Sequence, residues 1–315
     1  MFSHEGYQAL RRRIGLVRRA DRGVIGVTGA DRLTWLQGLL TNDVAALAVG
    51  GVCDAAYLTP QGRMITDLRV LHLEDRTLLD VPATLAAALA TRLDALIFSE
   101  DAQVADRSSA LAIVDLHGPD VPAVHDRAMA FLVEQGAVVI SDSPFGVPGI
   151  SLVLAPDRVA DAIARFVGEG ALETTLATLD VLRVEAGRPA FLIDMDEHTL
   201  PLEAGLDKRA ISFTKGCYVG QEVIVRVMQR GHGRVAKKLV GFSFAKGELP
   251  KAGDGVLSGE REIGRVTSAV WSPTLETGIG LGYAHRDFVE AGTRVTIRTA
   301  SGPLDAAVAA LPFVA

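Results

Sequence analysis

The sequence predicts an α+β fold that closes on a small antiparallel β barrel. Three observations carry it. Segments of helical and strand periodicity alternate through the middle third of the 315 residues. After Gly233 only short β-like runs remain, with Gly-rich turns between them. Apolar residues make up 49 % of a chain long enough for two or three domains, so a sizeable core is available. Aromatic residues are only 5 %, and that core must therefore be filled largely by Ala, Val and Leu.

Taken in order, Gln8 to Val17 reads as a short amphipathic helix and Val24 to Thr28 as a strand. Asp31 is placed to cap a helix over Arg32 to Leu40. Tyr57 to Ile65 has Pro60-Gln61-Gly62 at its centre and reads as a hairpin. Asp67 to Leu73 follows as a strand, with Leu68, Val70 and His72 alternating. Thr84 to Leu96 is Ala-rich and predicts a helix. A buried strand over Ala110 to Leu116 and a helix over Val121 to Gln135 come next. Strands are predicted at Val138 to Ile140 and at Ile150 to Leu154, and helices at Arg158 to Gly168 and at Thr178 to Ala186. Gly187 is suited to end the last of these. Asp194 to Gly216 has little periodicity and many charges, as functional connections do. In the tail, Val235 to Phe244, Glu262 to Ala269, Gly278 to Tyr283 and Thr293 to Arg298 are predicted strands. The domain boundary falls near Gly233, giving 1–232 and 233–315.

Net charge is −6, which argues against general nucleic-acid or anionic-membrane binding. The basic cluster Arg11, Arg12, Arg13, Arg18, Arg19 and Arg22 reads as a solvated helix face. No run is apolar enough to span a membrane. The start lacks the order of a secretory signal, and the two cysteines, Cys53 and Cys217, are too few for a disulfide framework. A cytoplasmic setting is expected. An all-cysteine cluster needs four thiolates, and the histidines show no ligand spacing, so no resident metal is expected.

The most informative stretch is Lys215-Gly216-Cys217-Tyr218-Val219-Gly220-Gln221-Glu222. An ammonium beside a cysteine favours the thiolate, the reactive form. Gly216 and Gly220 permit a tight backbone path. Glu222 and Arg226, at i,i+4, form an ion pair if the segment is helical. These residues, with Arg230-Gly231 beyond, resemble the signature of the YgfZ family of folate-binding proteins, relatives of the glycine cleavage T-protein. Four further stretches share the resemblance: Gly29 to Val44, Tyr57 to Asp67, Arg183-Val-Glu185-Ala-Gly187 and Pro201-Leu-Glu203-Ala-Gly205.

The resemblance implies a T-protein-like clover of three parts, a folate-binding region plus the C-terminal barrel. It implies tetrahydrofolate or a one-carbon derivative as cofactor. Glu185, with Arg183, matches the glutamate that accepts from the pterin 2-amino and ring N–H groups. Asn42, Asp43, Gln221, Glu222 and Arg226 complete the expected cofactor-binding set, and Cys217, Lys215 and Asp67 the expected catalytic set. T-proteins usually carry two adjacent aspartates where this chain has Thr66-Asp67, and an acidic residue where it has Cys217. The YgfZ family has cysteine there, and the resemblance to it implies an accessory protein for iron–sulfur cluster assembly or repair, a monomer acting on client enzymes, with no glycine-cleavage turnover expected. The alternatives are a folate-dependent one-carbon transferase and a scaffold that has lost its ligand.

Overall fold

The computed structural model describes residues 1–229, 233–245 and 249–314. Arg230-Gly231 of the extended motif and position 232 beside the expected boundary lie outside the described residues. The chain divides into two compact units, each assembled from three stretches. Unit 1 comprises Met1–Tyr57, Thr66–Leu179 and Arg209–Tyr218; unit 2 comprises Leu58–Ile65, Asp180–Lys208 and Val219–Ala315. Among the described residues no helix is long and apolar enough to cross a membrane.

The chain opens with helix α1 (His4–Arg12), capped by the Ser3 hydroxyl on the Gly6 N–H. The expected extension to Val17 fails. Gly15–Arg18 is strand β1, with Leu16 fully buried between two partner strands. Tertiary pairing decides so short an apolar run. Strand β2 (Arg22–Thr28) and helix α2 (Arg32–Leu39) follow as predicted. Asp31 makes no side-chain cap, because its Oδ2 accepts the Asp101 N–H at 2.8 Å. The hairpin is β3 (Val52–Leu58) and β4 (Met64–His72). Next come β5 (Thr77–Pro82), helix α3 (Ala86–Asp94), β6 (Gln103–Asp106), β7 (Ala112–His117), α4 (Val121–Glu134), β8 (Val138–Asp142), β9 (Gly149–Leu154), α5 (Val159–Gly168), β10 (Leu172–Thr174) and α6 (Leu176–Glu185).

Two five-stranded sheets result, ordered β10-β1-β7-β9-β8 and β3-β4-β5-β2-β6. Strand alternation assigns each face of the first. Val114, Leu116, Leu152 and Leu154 pack with Val124 and Leu132 of α4 and Phe166 of α5. The opposite face offers Ile113 and Val153 to Val24, Leu71 and Leu78 of the second sheet. That same face also carries Asp115, His117 and Ser151, all buried. Asp115 pairs with Arg19 at 2.5 Å, and Arg69 reaches Ser151 at 3.1 Å. Arg19 and Arg22 are thus committed to buried carboxylates and do not belong to a solvated helix face.

In unit 2, helix α7 (Gln221–Gln229) precedes β11 (Lys237–Phe244), β12 (Gly255–Ser258), β13 (Arg261–Ser272), β14 (Thr277–His285), β15 (Arg294–Thr299) and β16 (Gly302–Ala309). These six strands close into a barrel in the order β11-β14-β13-β12-β15-β16, and closure leaves no free edge. Phe242, Val256, Val266, Ile297 and Val308 fill it. Val184 of α6 packs on Leu239, Ile279 and Leu281 from outside. Gly187 ends α6 with φ of +65°, and a Cβ there would stand 2.9 Å from Leu311 Cβ.

Candidate functional site

In unit 1 the site is built around Asp67. Strand β4 buries Thr66, whose hydroxyl donates to the Asp67 carbonyl at 2.8 Å. Adjacent strand residues face opposite sides, so a carboxylate at position 66 would not stand beside Asp67 in this fold. The sequence argument that Thr66 removes half of an acidic pair therefore loses its force. Among the described residues Asp67 Oδ1 is buried without a hydrogen-bond partner. Burial raises its pKa above the ordinary carboxylate range; Arg22 and Arg209 oppose the shift, and Asp54 and Asp80 reinforce it.

Lys215 stands elsewhere than its expected role. Its ammonium donates to the carbonyls of Gln37 (2.6 Å), Leu40 (2.6 Å) and Asn42 (2.9 Å). It also lies 5.2 Å from the Tyr218 ring centroid. Helix α2 ends at Leu39, so these are carbonyls of its last turn and of the turn that follows, and Lys215 caps the helix end from a distant part of the chain. An ammonium has three protons, and here all three have acceptors. Burial lowers its pKa to about 8, against Asp43 and Cys53, which raise it. The expected use of Lys215 to favour a Cys217 thiolate is corrected accordingly. Cys217 is exposed. Cys53 is the thiol electrostatically coupled to Lys215, and burial, then Asp54 and Asp43, push it up to about 12.

Asn42 and Asp43 sit in the turn after α2. The Asn42 amide donates to the carbonyls of Asp54 (2.7 Å) and Arg209 (3.1 Å), so both its hydrogens serve the main chain rather than a ligand. Asp43 Oδ1 accepts from Gln37 Nε2 at 2.8 Å.

In unit 2 the Arg183-x-Glu185-x-Gly187 motif ends α6. Arg183 is buried and reaches Asp180 (2.6 Å), Asp194 (2.5 Å), the Arg188 carbonyl (2.8 Å) and Ser268 (2.9 Å). Burial opposes its charge, but Asp194 and Asp180 more than offset this and hold its pKa above the usual arginine value. Asp194 in turn accepts from Thr267 (2.5 Å) and Ser268 (2.7 Å). Consecutive strand residues reach one carboxylate because β13 is irregular between Val266 and Ser268. Arg183 is thus an architectural hub. Glu185 is fully buried, and its Oε1 accepts the Ser272 hydroxyl at 2.5 Å.

Gln221 opens α7, partly buried, while Glu222 and Arg226 are exposed and pair with each other at 2.5 Å. The glycines explain why two of the motifs accompany one another. Gly62 and Gly220 both have positive φ, and a Cβ on Gly220 would lie 3.2 Å from Gly62 Cα and 2.6 Å from the Thr59 carbonyl oxygen. The hairpin tip and the start of α7 meet glycine to glycine. Gly216 has ordinary φ and open space. Sequence reasoning missed Asp54, Arg209, Asp194 and Ser272. Arg209 and Asp194 at least lay in the charged connection, whereas nothing in the sequence links 54 with 209 or 185 with 272.

A two-sheet unit that carries Asp67 and a closed six-stranded barrel, with Glu185 hydrogen-bonded to Ser272 of β13, define an α+β protein with a terminal barrel. The GCVT N-terminal domain matches residues 2–138, and the glycine cleavage T-protein C-terminal barrel domain matches residues 237–315. An aminomethyltransferase of Rubrobacter xylanophilus is 30 % identical, aligned over 98 % of this chain and 85 % of that protein. One from Halothermothrix orenii is 29 % identical over 98 % and 91 %. The crystal structure of the glycine cleavage system aminomethyltransferase T from Bartonella henselae superposes with a TM-score of 0.89 at 23 % identity, covering 98 % of this chain and 89 % of that one. The chain belongs to the glycine cleavage T-protein family. The expectation of an iron–sulfur accessory protein is overturned by these relatives, which align almost end to end and are named for aminomethyl transfer.

Proposed function

We propose that this protein is a folate-dependent one-carbon transferase that passes an aminomethyl-type group to tetrahydrofolate. The observation that carries the reading is Asp67, a half-buried residue with a raised pKa whose Oδ1 is buried and has no hydrogen-bond partner among the described residues. Such a group gives a proton to an amine as its carbon–nitrogen bond breaks, and takes one back from an incoming nitrogen. Tetrahydrofolate, when bound, supplies the nitrogen that receives the one-carbon unit. Glu185 fits the pterin in chemical type: a carboxylate is the side chain that accepts from two adjacent N–H donors at once, and this one is held buried at the end of α6 with its Oε1 accepting the Ser272 hydroxyl. The folate-binding region is assigned to 1–232 and the barrel domain to 233–315, in a cytoplasmic protein. Cys217 within the Lys215–Glu222 motif favours the YgfZ-like branch of the family, on that motif alone.

The test is transfer from a lipoyl carrier protein to tetrahydrofolate, with binding of tetrahydrofolate and its methylene and formyl derivatives measured alongside. Asp67→Asn should bind folate yet lose transfer by about 100-fold or more. Glu185→Ala should weaken binding by about 1.5–3 kcal/mol. Absence of transfer by the parent protein, or undiminished transfer by Asp67→Asn, overturns the reading.

A further inference from the structure

Helix α6 ends at Glu185, and the last carbonyls of a helix have no partner within it. The turn that follows satisfies three of them. Leu182 accepts the Ala186 N–H at 2.9 Å, Val184 the Gly187 N–H at 2.9 Å and Arg183 the Arg188 N–H at 3.0 Å. The carbonyl of Glu185 is satisfied from much further along the chain. It accepts the Phe313 N–H at 2.8 Å and the Val314 N–H at 3.1 Å. The residue whose carboxylate suits a pterin is thus tied by its main chain to the segment Leu311–Val314.

That segment has a prepared seat. A Cβ on Gly187 would stand 2.9 Å from Leu311 Cβ, and one on Gly241 of β11 would stand 2.6 Å from Phe313 Cζ and 3.0 Å from Leu311 Cδ2. Glycine inside a strand packs no side chain and marks the close approach of another part of the chain. Leu311 and Phe313 also pack against the apolar cluster that joins Val184 to the outer barrel wall, while Pro312 between them is exposed. The carboxylate is held separately, from the end of β13. Ser272 donates its hydroxyl proton to Glu185 Oε1 at 2.5 Å, and the same hydroxyl oxygen accepts the Leu275 N–H at 3.1 Å. Main chain and carboxylate of Glu185 are therefore fixed by two different parts of unit 2.

A helix end needs its carbonyls satisfied, and water or a local turn can do that. Two N–H groups brought to one carbonyl by a segment seated on two glycines also fix the direction in which the Glu185 side chain leaves the helix. Acceptance from two adjacent N–H groups is demanding in angle, and a binding group must be held to within about 0.5 Å. We propose that the segment Leu311–Val314 is a positioning strap for Glu185, which aims the carboxylate at two neighbouring N–H groups of a bound pterin. The proposal deepens the transferase reading and takes the identity of the ligand from it. The strap need not touch the ligand, since its influence passes through Glu185.

Val314→Pro removes one of the two N–H donors, and Gly241→Ala drives a methyl group into Phe313. Each is made in the full-length protein, alone and together with Glu185→Ala, and tetrahydrofolate is titrated into all of them. Either strap variant should weaken binding about tenfold in the parent and have no further effect once Glu185 is alanine. Equal losses in both backgrounds would mean a general loosening of the fold and would overturn the proposal, as would undiminished binding. The Glu185 side-chain carboxyl carbon, identified in the NMR spectrum by its loss in Glu185→Gln, gives a readout that does not depend on ligand. Both strap variants should shift it and leave the methyl signals of Val256 and Val266 inside the barrel in place. A shifted Glu185 signal in a protein that binds no tetrahydrofolate upholds the strap and sinks the folate reading. An unmoved signal overturns the strap whatever is bound.

Discussion

At Asp67 one carboxylate oxygen, Oδ1, is buried without a hydrogen-bond partner among the described residues, and stability becomes pH-dependent as a result. Its folded pKa is raised above the ordinary value of 3.8. Below 3.8 the group is protonated whether the chain is folded or not, and it costs nothing. Between 3.8 and the folded midpoint the folded state holds the proton more tightly, so stability falls as pH rises. Above that midpoint the penalty is complete and constant. Asp67→Asn removes the charge. It should stabilise the protein by about 1 kcal/mol at neutral pH, in the range typical of active-site relief, and by nothing below 3.8. Thermal melting at the two pH values checks this, and equal gains at both would mean that charge burial is not the cause. Lys215 shows the contrary use of a buried charge, with every proton matched to a carbonyl.

The element scale shows which parts of the fold were legible. Helices α2, α4 and α5 and the long barrel strands follow from periodicity and turn spacing, because local signals there agree with the tertiary fold, whereas α7, β-branched over Val223 to Val227, is expected only through the family resemblance. What escaped the sequence is short or atypical. β10 has three residues, β12 four, and β16 begins Gly302-Pro303 and is rich in Ala, so pairing with β11 and β15 imposes the strand. β5 runs into Pro82 and carries Asp80, which only its arginine partners make tolerable in a buried strand. Candidate residues show the same division. Asp67 and Glu185 stand out by motif, whereas Asp54 with Arg209 and Glu185 with Ser272 are contacts that no linear pattern encodes. Within the Lys215–Glu222 motif the two glycines should also separate by experiment. Gly220→Ala puts a Cβ in a left-handed conformation 2.6 Å from the Thr59 carbonyl oxygen and should cost about 2–3 kcal/mol. Gly216→Ala meets open space and should change stability by less than about 0.5 kcal/mol. Urea midpoints of the two variants decide the matter, and comparable losses would refute the glycine-to-glycine account.

At the scale of the whole molecule, the buried charges of unit 1 set the acid limit. Burial alone would raise the pKa of Asp80 and Asp115. Arg22 and Arg69 on the first, and Arg19 on the second, overcome it and hold both below 3.8. Their stabilising contribution is therefore complete above 3.8 and is lost as pH falls from there through the depressed folded values. Circular dichroism should show cooperative loss of structure on acidification below that point, and Asp115→Asn should lower neutral-pH stability by about 1.5–3 kcal/mol, because it removes the buried carboxylate while Arg19 keeps its more exposed pair with Asp21. A variant as stable as the parent would show that the pair contributes only geometry.

The interleaving of the two units has a further consequence for how the chain is made. Unit 1 starts at Met1 but lacks its last stretch until Tyr218 has been synthesised, and the hairpin tip Leu58–Ile65 belongs to a unit whose barrel is translated last. Domains ordinarily mature in order as they leave the ribosome. Here neither unit is complete when the first half of the chain emerges: all five strands of the sheet β3-β4-β5-β2-β6 precede residue 107, yet both units acquire their remaining stretches only from the second half of the chain.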